Sequence, residues 1–135
     1  MVRARKARNA DVDEIALALP EVEQSEGERP SYSVNGKDFI VRRGPRKDAI
    51  DPDTGRMLDD VVYFHCRVQD KEAMVADESS PWFTTPHFNG YPAVLLRESR
   101  IGELTRAELA EIITDAWLIR APKRVSKRWL AERAE

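Results

Sequence analysis

The sequence predicts an α+β domain in which helices pack on one face of an antiparallel sheet. Three observations indicate this class: an amphipathic helix opens the chain, short strands beginning with an Asn-Gly hairpin follow, and two helices close it. A doubly wound parallel sheet is not expected, because strands and helices do not alternate regularly and the sequence contains neither GxGxxG nor GxxxxGKS/T.

The first helix is predicted from Asn9, which can cap it, to Pro20, which ends it. Apolar residues recur at the i, i+3, i+4, i+7 spacing of one buried face. They are Val12, Ile15, Ala16 and Leu19. The polar residues 21–29 that follow are predicted to form a loop.

Asn35-Gly36 predicts a two-residue hairpin between strands at 31–34 and 37–42, because a type I′ turn needs positive φ at both central positions. This loop length pairs Tyr32 with Phe39. The residues then expected on the core side are Tyr32, Val34, Phe39 and Val41.

Residues 44–60 show no periodicity and are predicted to be a long exposed connection. Residues 61–68 alternate as a strand. Its buried face is expected to carry Val62, Phe64, Cys66 and Val68, with His65 exposed on the other face. Because His65 and Cys66 are neighbours on a strand, they cannot jointly bind one metal or form a nucleophile and base pair.

The second half of the chain alternates short elements with turns. A short helix is expected from Asp70 to about residue 77, a brief strand at 82–85, a rigid turn at 86–92 and an apolar strand at 93–97. Thr105 and Glu108 have the spacing of a capping box, which predicts a helix there. Pro122 interrupts it, and residues 123–134 form a final helix whose inward side carries Val125, Trp129 and Leu130.

Length and composition predict one domain. The chain has 135 residues, 41% of them hydrophobic and 34% charged, which is typical of a folded domain with a charged surface. Residues 1–8 are interpreted as a basic tail and residues 9–135 as the domain. With one cysteine, no signal peptide pattern and no apolar run that could span a bilayer, we expect a cytoplasmic protein without a membrane partner, a monomer by default.

The charged residues are unevenly distributed although the net charge is only −2. Basic residues that could contact the phosphates of duplex DNA are Lys123, Arg124, Lys127, Arg128, Arg42 and Arg43. The carboxy-terminal group is equally compatible with a solvated face of an amphipathic helix, and Arg42 and Arg43 with charge in an exposed loop. The carboxylates of Asp11, Asp13 and Glu14 could instead hold a hard cation weakly.

The turn at 86–92 carries a compact cluster of rings. His87, Phe88 and Tyr91 could contact a ligand, with His87 as proton donor or acceptor and the rings as stacking surfaces. Structural packing of a turn over the core is the favoured alternative.

Three segments together resemble the MmcQ/YjbR family: LALPEV at 17–22, WFTTPHFNGYPAVL at 82–95, and AW followed by RAPKR within 116–124. The resemblance implies a fold similar to CyaY/frataxin and DNA binding, which is the function commonly described for the family. No nucleophile, base and oxyanion donors come together in the sequence, so no enzyme activity and no cofactor are expected. The leading hypothesis is a non-enzymatic protein that binds the backbone of double-stranded DNA. The alternative is a small-ligand or metal-binding module.

Overall fold

The computed structural model describes residues 5–133. Four helices and five strands follow one another along the chain. Their bounds are α1 Asn9–Leu17, β1 Val22–Gln24, β2 Tyr32–Val34, β3 Lys37–Arg42, β4 Val61–His65, α2 Val68–Ala76, β5 Ala93–Arg97, α3 Arg106–Arg120 and α4 Lys123–Arg133. Short 3-10 turns lie at Pro86–Phe88 and Glu98–Glu103.

The five strands form one sheet in the order β1-β2-β3-β4-β5, with each strand antiparallel to its neighbour. Helices α1 and α3 pack together, and α3 lies against β3 and β4. Val12, Trp117 and Phe64 are fully buried in the main core, between the helices and this face of the sheet. The predicted α+β class is confirmed.

The hairpin forms, but with a register that the sequence did not predict. Asn35 has a φ of 51° and Gly36 of 76°, as a type I′ turn requires. A register irregularity after Tyr32 pairs that residue with Ile40 instead of Phe39. Val41 then pairs with Tyr63 and lies on the opposite face, so its predicted place beside Tyr32 is wrong.

The second face of the sheet is covered as well. Ala49, Leu58 and Phe88 are buried against Val61 and Leu95. Residues 44–60 therefore lie on the sheet and are not wholly exposed as predicted. Inside this segment the amide of Leu58 donates to the carbonyl of Ala49 at 2.9 Å.

Burial on this face also corrects the prediction for His65. The residue is 3% exposed, because the aromatic turn covers it. Cys66 lies in the main core on the other side of the sheet, so the predicted separation of these two side chains is confirmed.

One of the three predicted helix caps, Thr105, is confirmed. Thr105 and Glu108 form the reciprocal capping box. Helix α1 begins one residue after Arg8, so Asn9 is its first residue and not its cap. Helix α2 begins at Val68, before Asp70, which removes Val68 from the predicted strand. Leu130 is 49% exposed and does not face inward.

Two short pairings differ from the sequence interpretation. Strand β1 lies inside the predicted loop and pairs with β2, although its residues show no buried alternation. Residues 82–85 form no strand, and only Phe83 bridges to Leu95.

The described part of the predicted basic tail is attached to the domain. Ala7 is buried, and its amide donates to the carbonyl of Leu104 at 2.8 Å. The amide of Arg106 donates to the carbonyl of Arg5 at 2.8 Å. Residues 1–4 of that tail lie outside the described residues. Between residues 5 and 133 no helix has the length and apolar character needed to cross a membrane.

A buried arginine joins α1 to the sheet. The Arg42 side chain is 3% exposed, and its Nη1 donates to Asp13 Oδ1 at 2.7 Å and to the carbonyl of Pro30 at 3.1 Å. The hydroxyl of Tyr32 donates to the same carboxylate oxygen. Burial, followed by the nearby Asp13, raises the pKa of Tyr32 to about 12. Asp13, together with Glu98 at 3.7 Å from Nε, therefore neutralises a cation that water does not reach.

Replacing Asp13 with alanine should destabilise the fold. The change leaves the buried Arg42 cation without its nearest anion, and we expect the free energy of unfolding to fall by about 2 kcal/mol. The neighbouring Glu14, whose side chain is 71% exposed, is the matched control. Its replacement with alanine should cost no more than about 0.5 kcal/mol. Urea unfolding of both variants measures the difference, and equal losses would contradict this role of Asp13.

Candidate nucleic-acid interface

Helix α4 presents a basic surface to solvent. Five of its eleven residues are lysine or arginine, and one is acidic. At 3.6 residues per turn, the four predicted phosphate contacts fall within an arc of about 140°. This basic arc consists of Lys123, Arg124, Lys127 and Arg128, all of them exposed. The structure thus brings these four predicted site residues together.

The opposite side of α4 fixes the helix to the core. Val125 is 5% exposed, and the rings of Trp117 and Trp129 lie 5.4 Å apart in an edge-on arrangement. The indole of Trp117 donates to the carbonyl of Pro20 at 3.1 Å. Arg133 stacks on Trp129 with its guanidinium carbon 4.1 Å from the ring centre. The basic arc is therefore held on a packed helix.

Two exposed carboxylates, Glu21 and Glu132, line a hollow shared with Arg124 and Arg128 at one edge of the basic arc. Arg124 pairs with Glu21 at 3.3 Å, and both side chains are at least half exposed. Lys123, Lys127 and Arg128 form no ion pair with any residue between 5 and 133. These three cations remain available to an external anion.

Arg42 and Arg43 do not extend this surface. Arg42 is 8% exposed and Arg43 6% exposed, so their predicted position in an exposed loop is wrong. Arg42 binds Asp13 on the helix side of the sheet, whereas Arg43 Nη1 donates to both oxygens of Asp48 at 3.0 Å on the other side. Neighbouring residues on a strand point to opposite faces, which separates the two side chains.

The acidic residues that the sequence suggested as metal ligands form ion pairs with arginines. Asp11 is 1% exposed and accepts two hydrogen bonds from Arg5, which hold its pKa at about 2. Asp13 pairs with Arg42, and the exposed Glu14 pairs with Arg106 at 3.3 Å. Nowhere within residues 5–133 do three or more histidine, cysteine, aspartate or glutamate side chains converge in a way that could hold a metal ion.

A hollow of about 400 Å³ lies between α2 and α3. Its walls include Cys66 and Met74, and its rim carries Asp70, Glu111 and Asp115. Burial, followed by the negative charges of Glu111 and Asp70, raises the pKa of Asp115. Arg67 is the one basic residue that lines this hollow beside three carboxylates, so its lining is net negative and does not favour a phosphate.

The aromatic turn lies on the sheet face opposite α1 and α3. Phe88 is 7% exposed, and its ring centre lies 5.2 Å from that of Tyr63 and 5.6 Å from that of Tyr91. His87 is exposed and Tyr91 is 42% exposed. We call this surface the aromatic groove: Tyr63, His87, Phe88 and Tyr91, bordered by Arg43 and Arg46. The favoured packing interpretation holds for Phe88, while His87 and Tyr91 remain accessible.

A buried lysine holds the aromatic turn. Lys71, in the first turns of α2, is 4% exposed, and its Nζ donates to the carbonyls of Phe88 and Tyr91, the latter at 2.9 Å. Burial lowers the pKa of Lys71. Sequence reasoning missed this residue and also Tyr63. A lysine in an amphipathic helix carries no pattern that indicates a distant carbonyl partner, although the strand alternation already placed Tyr63 on this face.

These features define the chain as an α+β protein with a five-stranded antiparallel meander, a basic terminal helix and an aromatic groove. It belongs to the same family as the uncharacterized proteins Rv2570 of Mycobacterium tuberculosis and Mb2600 of Mycobacterium bovis. Each is 50% identical to it over 104 residues, which are 77% of this chain and 71% of the relative. No protein-family model matches the chain, and no solved structure matches it.

His65, beneath the aromatic turn, predicts a pH-dependent stability. Burial, with a smaller effect of Arg120, lowers its pKa to about 4. The unfolded chain, where the pKa of histidine is about 6.5, binds this proton at higher pH than the folded chain. Stability should therefore fall as the pH drops from about 6.5 towards 4, and the loss between about pH 7 and about pH 5 should be on the order of 2 kcal/mol.

The measurement is urea unfolding of the wild-type chain and of His65→Leu at about pH 7 and about pH 5. Because the variant lacks this proton-binding group, its loss of stability between the two pH values should be smaller. The exposed His87, changed to glutamine, serves as the control and should keep the wild-type dependence. A wild-type pH dependence in His65→Leu would show that His65 does not cause it.

Proposed function

We propose that the chain is a non-enzymatic protein that binds double-stranded DNA through the phosphate backbone, with α4 as the contact surface. The observation that carries the proposal is the basic arc. Four cations share one exposed side of a helix whose opposite side is fixed by Val125 and Trp129. Lysine and arginine at this spacing offer several donors to consecutive phosphates.

The arrangement favours backbone contact over base reading. The cations of α4 can displace the ions condensed on a duplex whatever its sequence. Because the whole chain has a net charge of −2, electrostatic attraction of DNA phosphates is confined to the surface of this helix. We therefore infer binding with little sequence preference.

The resemblance to the MmcQ/YjbR family supports the same assignment. In this proposal the chain is a member of that family, and its helix-covered antiparallel sheet is a variant of the CyaY/frataxin fold. The metal-binding alternative has less support, because Asp11 and Asp13 are paired with buried or half-buried arginine partners.

A salt series with a labelled DNA duplex tests the proposal. If four cations each displace a counterion, the logarithm of the binding constant should fall against the logarithm of salt concentration with a slope of about −3 to −4. Changing Lys123 and Lys127 together to alanine should weaken binding roughly 10- to 30-fold at low salt and reduce the slope by about 2. Fluorescence anisotropy measures both quantities.

The matched control removes the same charge elsewhere. Lys37 and Arg56 are exposed and form no ion pair with another described residue, so a Lys37→Ala, Arg56→Ala double variant should bind almost as the wild type does. Equal weakening of the two double variants would place the interaction outside α4. An absence of duplex binding at low salt would refute the proposed function.

A further inference from the structure

The aromatic groove combines exposed rings with cations. Tyr63, His87, Phe88 and Tyr91 line a hollow of about 250 Å³, and a second of about 190 Å³ shares three of these walls and adds Arg43 and Arg46. A third, of about 430 Å³, continues past His87 to Arg46 and Lys47. A planar ring and an attached anion could therefore occupy neighbouring hollows.

The rings offer stacking surfaces in a fixed arrangement. Tyr63 and Tyr91 stand at 90° with their centres 6.4 Å apart, and Phe88 packs edge-on against Tyr91. Lys71 ties the turn to α2, while the amides of Phe88 and Tyr91 donate to the carbonyls of Thr85 and Phe88. Fixed aromatic side chains bind a planar ring with little ordering cost.

The floor of the groove carries the guanidinium of Arg43, whose hydrogen-bond donors are only partly satisfied. The Arg43 side chain is 5% exposed, and its carbon lies 5.3 Å from the centre of the Phe88 ring. Nη1 binds Asp48, but neither Nε nor Nη2 has a hydrogen-bond partner among residues 5–133. Leaving the buried Nε and Nη2 without acceptors destabilises the fold unless another group, such as a bound anion, interacts with the guanidinium.

The rim adds further positive charge. Arg46 and Lys47 are exposed and form no ion pair within the described part of the chain. Two carboxylates act on this region: Asp48, which is already engaged by Arg43 and Thr85, and Asp38, whose charge acts on Tyr63. A bound anion would therefore meet a net positive border.

From these observations we propose that the aromatic groove binds a nucleoside monophosphate unit, either as a free nucleotide or within a single strand. The base stacks on the ring of Tyr91 with the perpendicular ring of Tyr63 at its edge, and the phosphate binds Arg46 and Lys47. This site faces away from the α1 and α3 layer into which α4 packs, so it is independent of the duplex contact proposed for the basic arc. The shallow hollows fit weak binding, in the high micromolar to millimolar range.

The test is an NMR titration of the labelled full chain with AMP, adenosine, inorganic phosphate and a short deoxyadenosine strand. AMP should give saturable shifts at residues 63, 87, 88 and 91, and should bind more tightly than adenosine or phosphate. If the deoxyadenosine strand binds more tightly than AMP, the groove binds a nucleotide within a single strand. If AMP binds more tightly than the strand, the groove binds a free nucleotide.

Two variants with substitutions at exposed residues distinguish the contribution of the base to binding from that of the phosphate. Tyr91→Ala should weaken both AMP and adenosine about tenfold, because one stacking surface is lost. Arg46→Ala combined with Lys47→Ala should weaken AMP by a similar factor and leave adenosine unchanged. The Lys37→Ala, Arg56→Ala variant removes the same charge elsewhere and should bind AMP as the wild type does.

Three results would overturn the proposal: no saturable shift with AMP or the strand, shifts that map outside the groove, or phosphate alone binding as tightly as AMP. Duplex binding is measured on Tyr91→Ala in parallel and should be unchanged. A chain that binds duplex but not AMP therefore refutes this site alone, and one that binds AMP but not duplex refutes the proposed duplex-binding function and leaves this site standing.

Discussion

Strands β4 and β5 must be covered on both faces, and the rest of the structure depends on this requirement. Four of the five residues of β4 are buried, as are residues 93–96 of β5. Helices α1 and α3 cover one face, whereas residues 44–60 and the turn at 86–92 cover the other. Because loops cannot seal a sheet as completely as helices do, rings and cations remain accessible at the border of the second layer.

The arginines serve two different purposes. Arg42, the last residue of β3, and Arg43, which follows it, are buried on opposite faces of the sheet and connect it to the layers above and below it. Arg124 and Arg128 lie on the exposed side of α4, where Glu21 is the acidic partner within the described residues. Basic residues that are close together in the sequence therefore need not lie on the surface. A basic residue is available to an anion only where its side of the helix or strand is not packed against the core.

Local patterns in the sequence predicted much of this arrangement. Helical spacing and the Thr105 capping box gave the helices, and Asn35-Gly36 gave the hairpin. The register slip after Tyr32 has no local pattern, and neither does the burial of Ala49 and Leu58, because their partners lie on other strands. For the same reason the contact of Lys71 with the aromatic turn could not be predicted, whereas the basic arc follows from helical geometry alone.

The central proposal is that α4 is the surface through which this chain contacts duplex DNA. Its most direct test is the mapping of amide shifts of the labelled chain on addition of a short duplex at low salt. The account predicts that the largest shifts follow the basic arc, at Lys123, Lys127 and Arg128, and decline as salt is added. Shifts centred on the aromatic groove, or none along α4, would contradict it.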